Sequence, residues 1–119
     1  MLSSRGRLKL LDIREHIGYA LTWTAGLSLA QFRADIKIFY AVTRALEIIS
    51  EASRGVDEAT RQRQSHLPWA DIAGAGNIYR HNYDDVTEER VWFTVVESLP
   101  LLLAAVEAEL AAPDQPSRP

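Results

Sequence analysis

The stretch LAQFRADIKIFYAVTRALEIISEASR, residues 29–54, decides the fold class. Leu29, Phe32, Ile36, Phe39, Thr43, Leu46 and Ser50 recur at alternating three- and four-residue steps, with Ala45 and Ile49 beside them. That is the period of a helix with one apolar face, and it predicts one helix over about Leu29 to Arg54. Ser28-Leu29-Ala30-Gln31 reads as its capping box, in which the Ser28 hydroxyl and the Gln31 amide satisfy free backbone donors. Gly55 is expected to end it, because glycine accepts positive φ at no steric cost.

Towards the N-terminus, Leu10, Ile13, Ile17 and Leu21 form the apolar face of a helix over about Arg7 to Thr24, which Gly26 then breaks. Towards the C-terminus, Asp57 can cap a short third helix, about Glu58 to Ser65. Its residues are nearly all polar, which places it on the surface. After Leu67-Pro68-Trp69, a fourth helix is predicted over about Ala70 to Tyr83. Gly74 and Gly76 weaken it by roughly 1 kcal/mol each relative to alanine. Thr87-Glu88-Glu89 caps a fifth, with Val91, Val95, Leu99, Leu102, Val106 and Leu110 on its buried face. Pro100 is expected to kink it, since proline lacks a backbone donor and its ring presses on the carbonyl four residues earlier. With no β-alternation, the reading is an all-α, antiparallel (up-down) bundle of four to five helices. Residues 1–112 form one domain in this reading, and 113–119 are expected to be a disordered tail. The exposed edges of so small a bundle are expected to complete their core in a homodimer or higher homo-oligomer.

The chain has 119 residues, 47% apolar and 24% charged, the profile of an ordinary globular domain too small for a deep internal pocket. It has no cysteine, which excludes disulfides, thiolate metal sites and cysteine nucleophiles. His16, His66 and His81 show no metal-ligand spacing, so neither a metal nor another cofactor is expected. Arg5, Arg7 and Lys9 precede an amphipathic segment rather than an apolar run, which argues against a signal peptide. No membrane-spanning helix is expected, and the cytoplasm is the expected location. The net charge of −3 and pI of about 5.6 do not attract nucleic acid, so any RNA contact must come from a local patch.

The most unusual segment is Gly76-Asn77-Ile78-Tyr79-Arg80-His81-Asn82-Tyr83. This segment, with Pro68-Trp69-Ala70-Asp71-Ile72-Ala73-Gly74, Val91-Trp92 and Leu99-Pro100, resembles the C-terminal half of HepT-like proteins. Ile48-Ile49-Ser50-Glu51-Ala52 is similar to that family's Ile-Gly-Glu-Ala segment, and the resemblance covers about residues 7 to 110. Each motif is weak alone, while their order and spacing together are fairly specific. The resemblance implies a dimeric helical bundle of the broader HEPN group. It also implies a signature of Arg, four residues, His, one residue and Tyr. In that signature Arg and His cleave RNA without a metal across the dimer interface. A partner nucleotidyltransferase antitoxin of the MNT type attaches AMP to the Tyr and silences the toxin.

On this mapping His81 and Tyr83 match the signature and Asn77 matches the polar residue after the Arg, but Gly76 occupies the Arg position itself. Metal-free RNA cleavage needs a base for the 2′-hydroxyl proton, which suits imidazole, and a donor for phosphate charge, which suits guanidinium. The nearest arginine, Arg80, projects about 100° around the helix from His81 and does not simply replace the missing group. Arg80 is either a displaced catalytic or RNA-contacting group or the surface partner of Asp84. His81 has the alternative of a surface or capping histidine, and Tyr83 that of an interface or core aromatic. Asp84 and Asp85 either orient His81 or are solvated turn residues. Glu51 is placed near the His81 helix by the resemblance, with a hydrogen bond to a backbone donor as its expected role. Arg61, Arg63 and His66 are read as a solvated helix face rather than an RNA or acidic-partner surface. Trp23, Trp69 and Trp92 are read as core or interface packing.

Three functions follow. The first is a HepT/MNT-type toxin, an endoribonuclease with His81 and Arg80 as catalytic residues. The second is a non-catalytic nucleotidyltransferase-associated or nucleotide-binding module, because Gly76 replaces the family Arg. The third is a purely structural bundle with residues 76–83 as a dimer seam.

Overall fold

The computed structural model describes residues 2–81 and 86–112, and every regular element among the described residues is helical. The elements are α1 (Ser4–Thr24), α2 (Leu29–Ala34), α3 (Ile36–Ser53), α4 (Glu58–Arg63), α5 (Trp69–His81), α6 (Glu88–Phe93), a π-helical turn (Thr94–Ser98) and α7 (Leu99–Ala111). The all-α expectation therefore holds, and the 113–119 tail lies outside the described residues.

Helix α3 is central, with α1 and α5 packed on it, while α7 lies against α1 and α6 against α2. Pairings between helix ends fix the directions. Lys9 at the start of α1 lies against Gly55 just past α3, and Arg54 and Glu47 of α3 meet Ala73 and Arg80 of α5 in reverse order. Both pairs therefore run antiparallel, as an up-down bundle requires. Leu10, Ile13, Ile17, Phe32, Val42, Ile49, Val91, Val95 and Val106 belong to one buried cluster. Phe32 is fully buried with its ring 5.3 Å from Trp92 and 6.1 Å from Phe39. Burying one such side chain stabilises the fold by about 1.5–3 kcal/mol.

Several expectations are corrected. The helix foreseen over Leu29 to Arg54 is broken at Asp35. Its Oδ1 accepts from the backbone N–H groups of Lys37 (3.1 Å) and Ile38 (3.2 Å) and so starts a new helix. The break resets the helical phase, leaving Ile36 64% exposed and turning Val42 into the core. Helix α1 begins earlier than foreseen because Asp57 of a distant loop accepts from both the backbone N–H and the hydroxyl of Ser3 (2.9 Å each). Ser3 in turn accepts from Gly6 N–H at 2.9 Å, and Asp57 consequently makes no side-chain cap on α4.

Gly55 is not in a positive-φ conformation; among the described residues that belongs to Gly26, at φ 76°. Gly55 is needed for close approach instead, since a Cβ there would sit 2.7 Å from Lys9 Cγ. The distortion expected at Pro100 lies just ahead of it. The Leu99 N–H reaches the Thr94 carbonyl, five residues back, so the wider π turn ends as the proline enters the first turn of α7. The helix Glu88–Ala111 has 24 residues and is long and apolar enough to cross a membrane by length and composition alone. The same composition suits a core helix, and its Val91, Val95, Leu99, Leu102 and Val106 are buried in the bundle.

Candidate functional site

Helix α5 carries the candidate segment, and its first turn is pinned by the Trp69 indole, which donates to the Gln64 carbonyl at 3.0 Å. Its middle is tied to α3 through Ser50, which is only 1% exposed. The Ser50 hydroxyl donates to the Ala73 carbonyl (3.0 Å) and accepts from the Gly76 N–H (2.8 Å). Arg54 adds two donors to the same Ala73 carbonyl, at 3.3 and 3.1 Å. One serine thus inserts into the backbone of a neighbouring helix at the turn that leads to His81.

The same contact explains the residue at position 76. Gly76 is the one buried residue of α5, and a Cβ there would meet Ser50 Oγ at 2.8 Å and Ser50 Cβ at 3.2 Å. No guanidinium stem fits between the helices at this point while Ser50 stays in place. Gly76 therefore points at α3 rather than into solvent beside His81.

Arg80 folds back over α3. Its guanidinium donates to Asn77 Oδ1 at 3.0 Å and stands 3.8 Å from Glu47 and 3.9 Å from Glu51. Glu47 is shared with Arg44, at 2.7 Å. Arg80, Asn77 and Glu51 are thus brought together, although the Glu51 side chain is 63% exposed and its recorded partner is Arg80 rather than a backbone donor. Arg80, Glu47 and Glu51 line an open cleft of about 280 Å³ that also takes in Lys9 and Asp12 of α1 and Arg44. His81 is exposed at the last residue of α5. Tyr83, Asp84 and Asp85 lie outside the described residues, so the Arg80–Asp84 pairing does too.

On the opposite side of α5, a groove of about 360 Å³ separates it from the π turn and α7. Leu46 and Ile49 of α3 line it together with Tyr79 and Thr94, and no equally large opening was anticipated from chain length. Burial there raises the Tyr79 phenol above its ordinary value, partly offset by its hydrogen bond with Thr94. The Arg61, Arg63 and His66 group is divided. Arg61 pairs with Glu58 on the same helix, and His66 is exposed. Arg63 donates to Glu109 at 2.9 and 2.7 Å, a link between α4 and α7 to which Gln64 adds a bond at 3.0 Å. Trp69 and Trp92 pack against the core, whereas Trp23 is 42% exposed. No cluster of three or more metal-ligating side chains exists among the described residues.

Sequence reasoning missed Ser50, Glu47 and Tyr79. Ser50 and Gly76 each carried a signal: a hydroxyl within an apolar stripe, and a glycine inside a helix that has no turn to make. Nothing in the one-dimensional pattern pairs the two.

The model of the ribonuclease HepT-like family matches residues 13–109. A candidate RNase of Methanocaldococcus jannaschii is 35% identical over 98 residues, covering 82% of this chain and 90% of its own length. A ribonuclease HepT candidate of Thermococcus cleftensis is 34% identical over 98 residues, covering 82% and 89%. A candidate RNase of Caldanaerobacter subterraneus is 34% identical over 93 residues, covering 78% and 83%. No solved structure matches the chain.

Proposed function

The chain belongs to the ribonuclease HepT-like family, and from that premise we propose that it is the toxin of a HepT/MNT-type toxin–antitoxin pair. In this reading it is a cytoplasmic, metal-independent endoribonuclease that works as a homodimer. The observation that carries the reading is the family match over residues 13–109 together with an exposed His81 at the end of α5, the residue that the sequence resemblance pairs with the signature's histidine. The His81 imidazole takes the 2′-hydroxyl proton, the 2′-oxygen attacks the adjacent phosphorus, and the bond from phosphorus to the 5′-oxygen breaks, leaving a 2′,3′-cyclic phosphate and a 5′-hydroxyl whose proton comes from water. Arg80 supplies the phosphate donor by turning away from Glu47 and Glu51, a rearrangement that long, partly exposed ion pairs of this kind oppose by about 1 kcal/mol each. Tyr83 is the residue to which a partner nucleotidyltransferase attaches AMP, and Asn77, Glu51 and Asp84 support the site.

A second reading is favoured by one specific observation. Gly76 is sealed against Ser50, and the neighbouring Arg80 is already compensated by two carboxylates. A chain so arranged suits a non-catalytic module that binds a nucleotide or a nucleotidyltransferase.

Purified protein incubated with RNA in a chelator separates the two. Cleavage that disappears in His81→Ala supports the enzyme. Intact RNA at high protein concentration, or an equally active alanine variant, removes it. Adenylyl mass on Tyr83 in the presence of the nucleotidyltransferase and ATP, without RNA cleavage, leaves the module.

A further inference from the structure

The cleft beside α5 has an even charge balance. Lys9, Arg44 and Arg80 line it together with Asp12, Glu47 and Glu51, so three cations share it with three carboxylates. A phosphate that enters meets no surplus of positive charge, which is the usual source of affinity for a nucleic-acid backbone. Within the cleft Glu47 is largely buried, its side chain 18% exposed against 63% for Glu51, and it stands between two arginines.

The two arginines hold Glu47 unequally. Arg44, one turn earlier on α3, donates to Glu47 Oε1 at 2.7 Å, a formed charge-assisted hydrogen bond. Arg80 Nη1 approaches the same oxygen only to 3.8 Å, and Glu51 to 3.9 Å, both beyond hydrogen-bond reach. The hydrogen bond that Arg80 does make runs from Nη2 to Asn77 Oδ1 at 3.0 Å, on its own helix. A largely buried carboxylate left without a partner is costly. Here none is stranded, because Arg44 stays on Glu47 Oε1 when Arg80 departs.

We propose that Glu47 is a counter-charge latch on Arg80 which an entering RNA phosphate releases, and that Arg44 makes the exchange possible by keeping Glu47 paired. The proposal rests on the reading that Arg80 serves an RNA phosphate. Before RNA enters, Glu47 and Glu51 attract the Nη1 donor that the phosphate needs. On entry the guanidinium passes from carboxylate to phosphate, and only ion pairs and hydrogen bonds change. Such a latch has a sign that a merely structural ion pair lacks. Removing the Glu47 charge helps RNA, removing the Arg44 charge hurts it, and the second effect depends on Glu47 being present.

The test uses fluorescence anisotropy of a labelled oligouridylate, with the full chain carrying His81→Ala so that the probe survives. Glu47→Gln should tighten binding by about 2- to 5-fold, the factor by which one such ion pair competes. Glu51→Gln, at an exposed carboxylate that the fold can lose, should act in the same direction. Arg44→Gln should weaken binding by a similar factor, and much less so in the Glu47→Gln protein. The gain from Glu47→Gln should vanish once Arg80→Gln is present. A gain that survives Arg80→Gln overturns the proposal, because Glu47 then only repels phosphate at a distance. So does an Arg44 effect that is the same with and without Glu47, or no gain in either glutamate variant. Absence of oligouridylate binding by both the parent and Glu47→Gln overturns it as well. Latch-dependent binding without cleavage by protein that retains His81 keeps the latch and removes the nuclease. His81-dependent cleavage with none of these dependences does the reverse.

Discussion

Adding a single methyl group at position 76 should destabilise this protein even though helix propensity favours it. Alanine in place of a helical glycine ordinarily gains about 1 kcal/mol. Here the new Cβ would lie 2.8 Å from Ser50 Oγ and 3.2 Å from Ser50 Cβ, both closer than ordinary contact. Ser50 has little room to retreat, being 1% exposed and bonded to both Gly76 N–H and the Ala73 carbonyl. Relief requires either moving α5 from α3, at about 1–3 kcal/mol for overpacking, or rotating the hydroxyl away and losing two bonds at about 1 kcal/mol each. Against the propensity gain, the net expectation for Gly76→Ala is a loss of about 1 kcal/mol, or roughly 3–6 °C in Tm for a domain of this size. Ser50→Gly removes the obstacle, so Ser50→Gly/Gly76→Ala should be more stable than the sum of the single changes, with a coupling of about 1 kcal/mol or more. Urea unfolding followed by circular dichroism, run as a double-mutant cycle, measures this. A Gly76→Ala protein as stable as the parent, or a cycle with no coupling, refutes the account of why glycine stands here. The same reasoning says that Gly76→Arg, the change that would restore the signature the sequence resemblance implies, succeeds only in the presence of Ser50→Gly.

Three other outcomes are expected. Arg80→Gln should leave the unfolding midpoint nearly unchanged, because its ion pairs are long, at 3.8 and 3.9 Å, and only partly buried, while lowering RNA cleavage by about 100- to 1000-fold if Arg80 is the phosphate donor; comparing melting curves with turnover decides it. The hydrogen bond from Arg63 holds the Glu109 carboxyl below the usual carboxylate range, with Gln64 contributing in the same direction. A folded-state value below the unfolded one gives stability that is full above the unfolded value, about 4.3, and lost as pH falls through the folded one. Glu109→Gln should therefore flatten the acid limb of a stability-against-pH curve below about pH 5, and an unaltered limb contradicts the link. Asp35→Ala should cost about 0.5–2 kcal/mol by removing the cap that starts α3, read as a lower midpoint in urea.

Much of the fold was legible in the chain because it is written in local periodicity. The apolar steps of Leu10, Ile13 and Ile17, the capping box at Ser28 and Gln31, and the Val91 to Val106 stripe each report a helix and its buried side without reference to anything distant. The break at Asp35 is also local, but the apolar stripe continues through it, and a capping carboxylate inside a periodic run is easily read as a polar-face residue. The early start of α1 was not legible, since it depends on Asp57, 54 positions away from Ser3.

The candidate site divides in the same way. The sequence by itself determined that this is a helical chain with His81 at the end of a helix, an arginine immediately before it and a glycine five residues earlier. Only the tertiary structure decided what those facts mean. It set Gly76 against Ser50 and turned Arg80 towards Glu47 and Glu51. The physical reason is range. Helix periodicity and caps are interactions between residues up to four positions apart, while the space available to a side chain and the charge around a guanidinium are set by whichever helix packs against it.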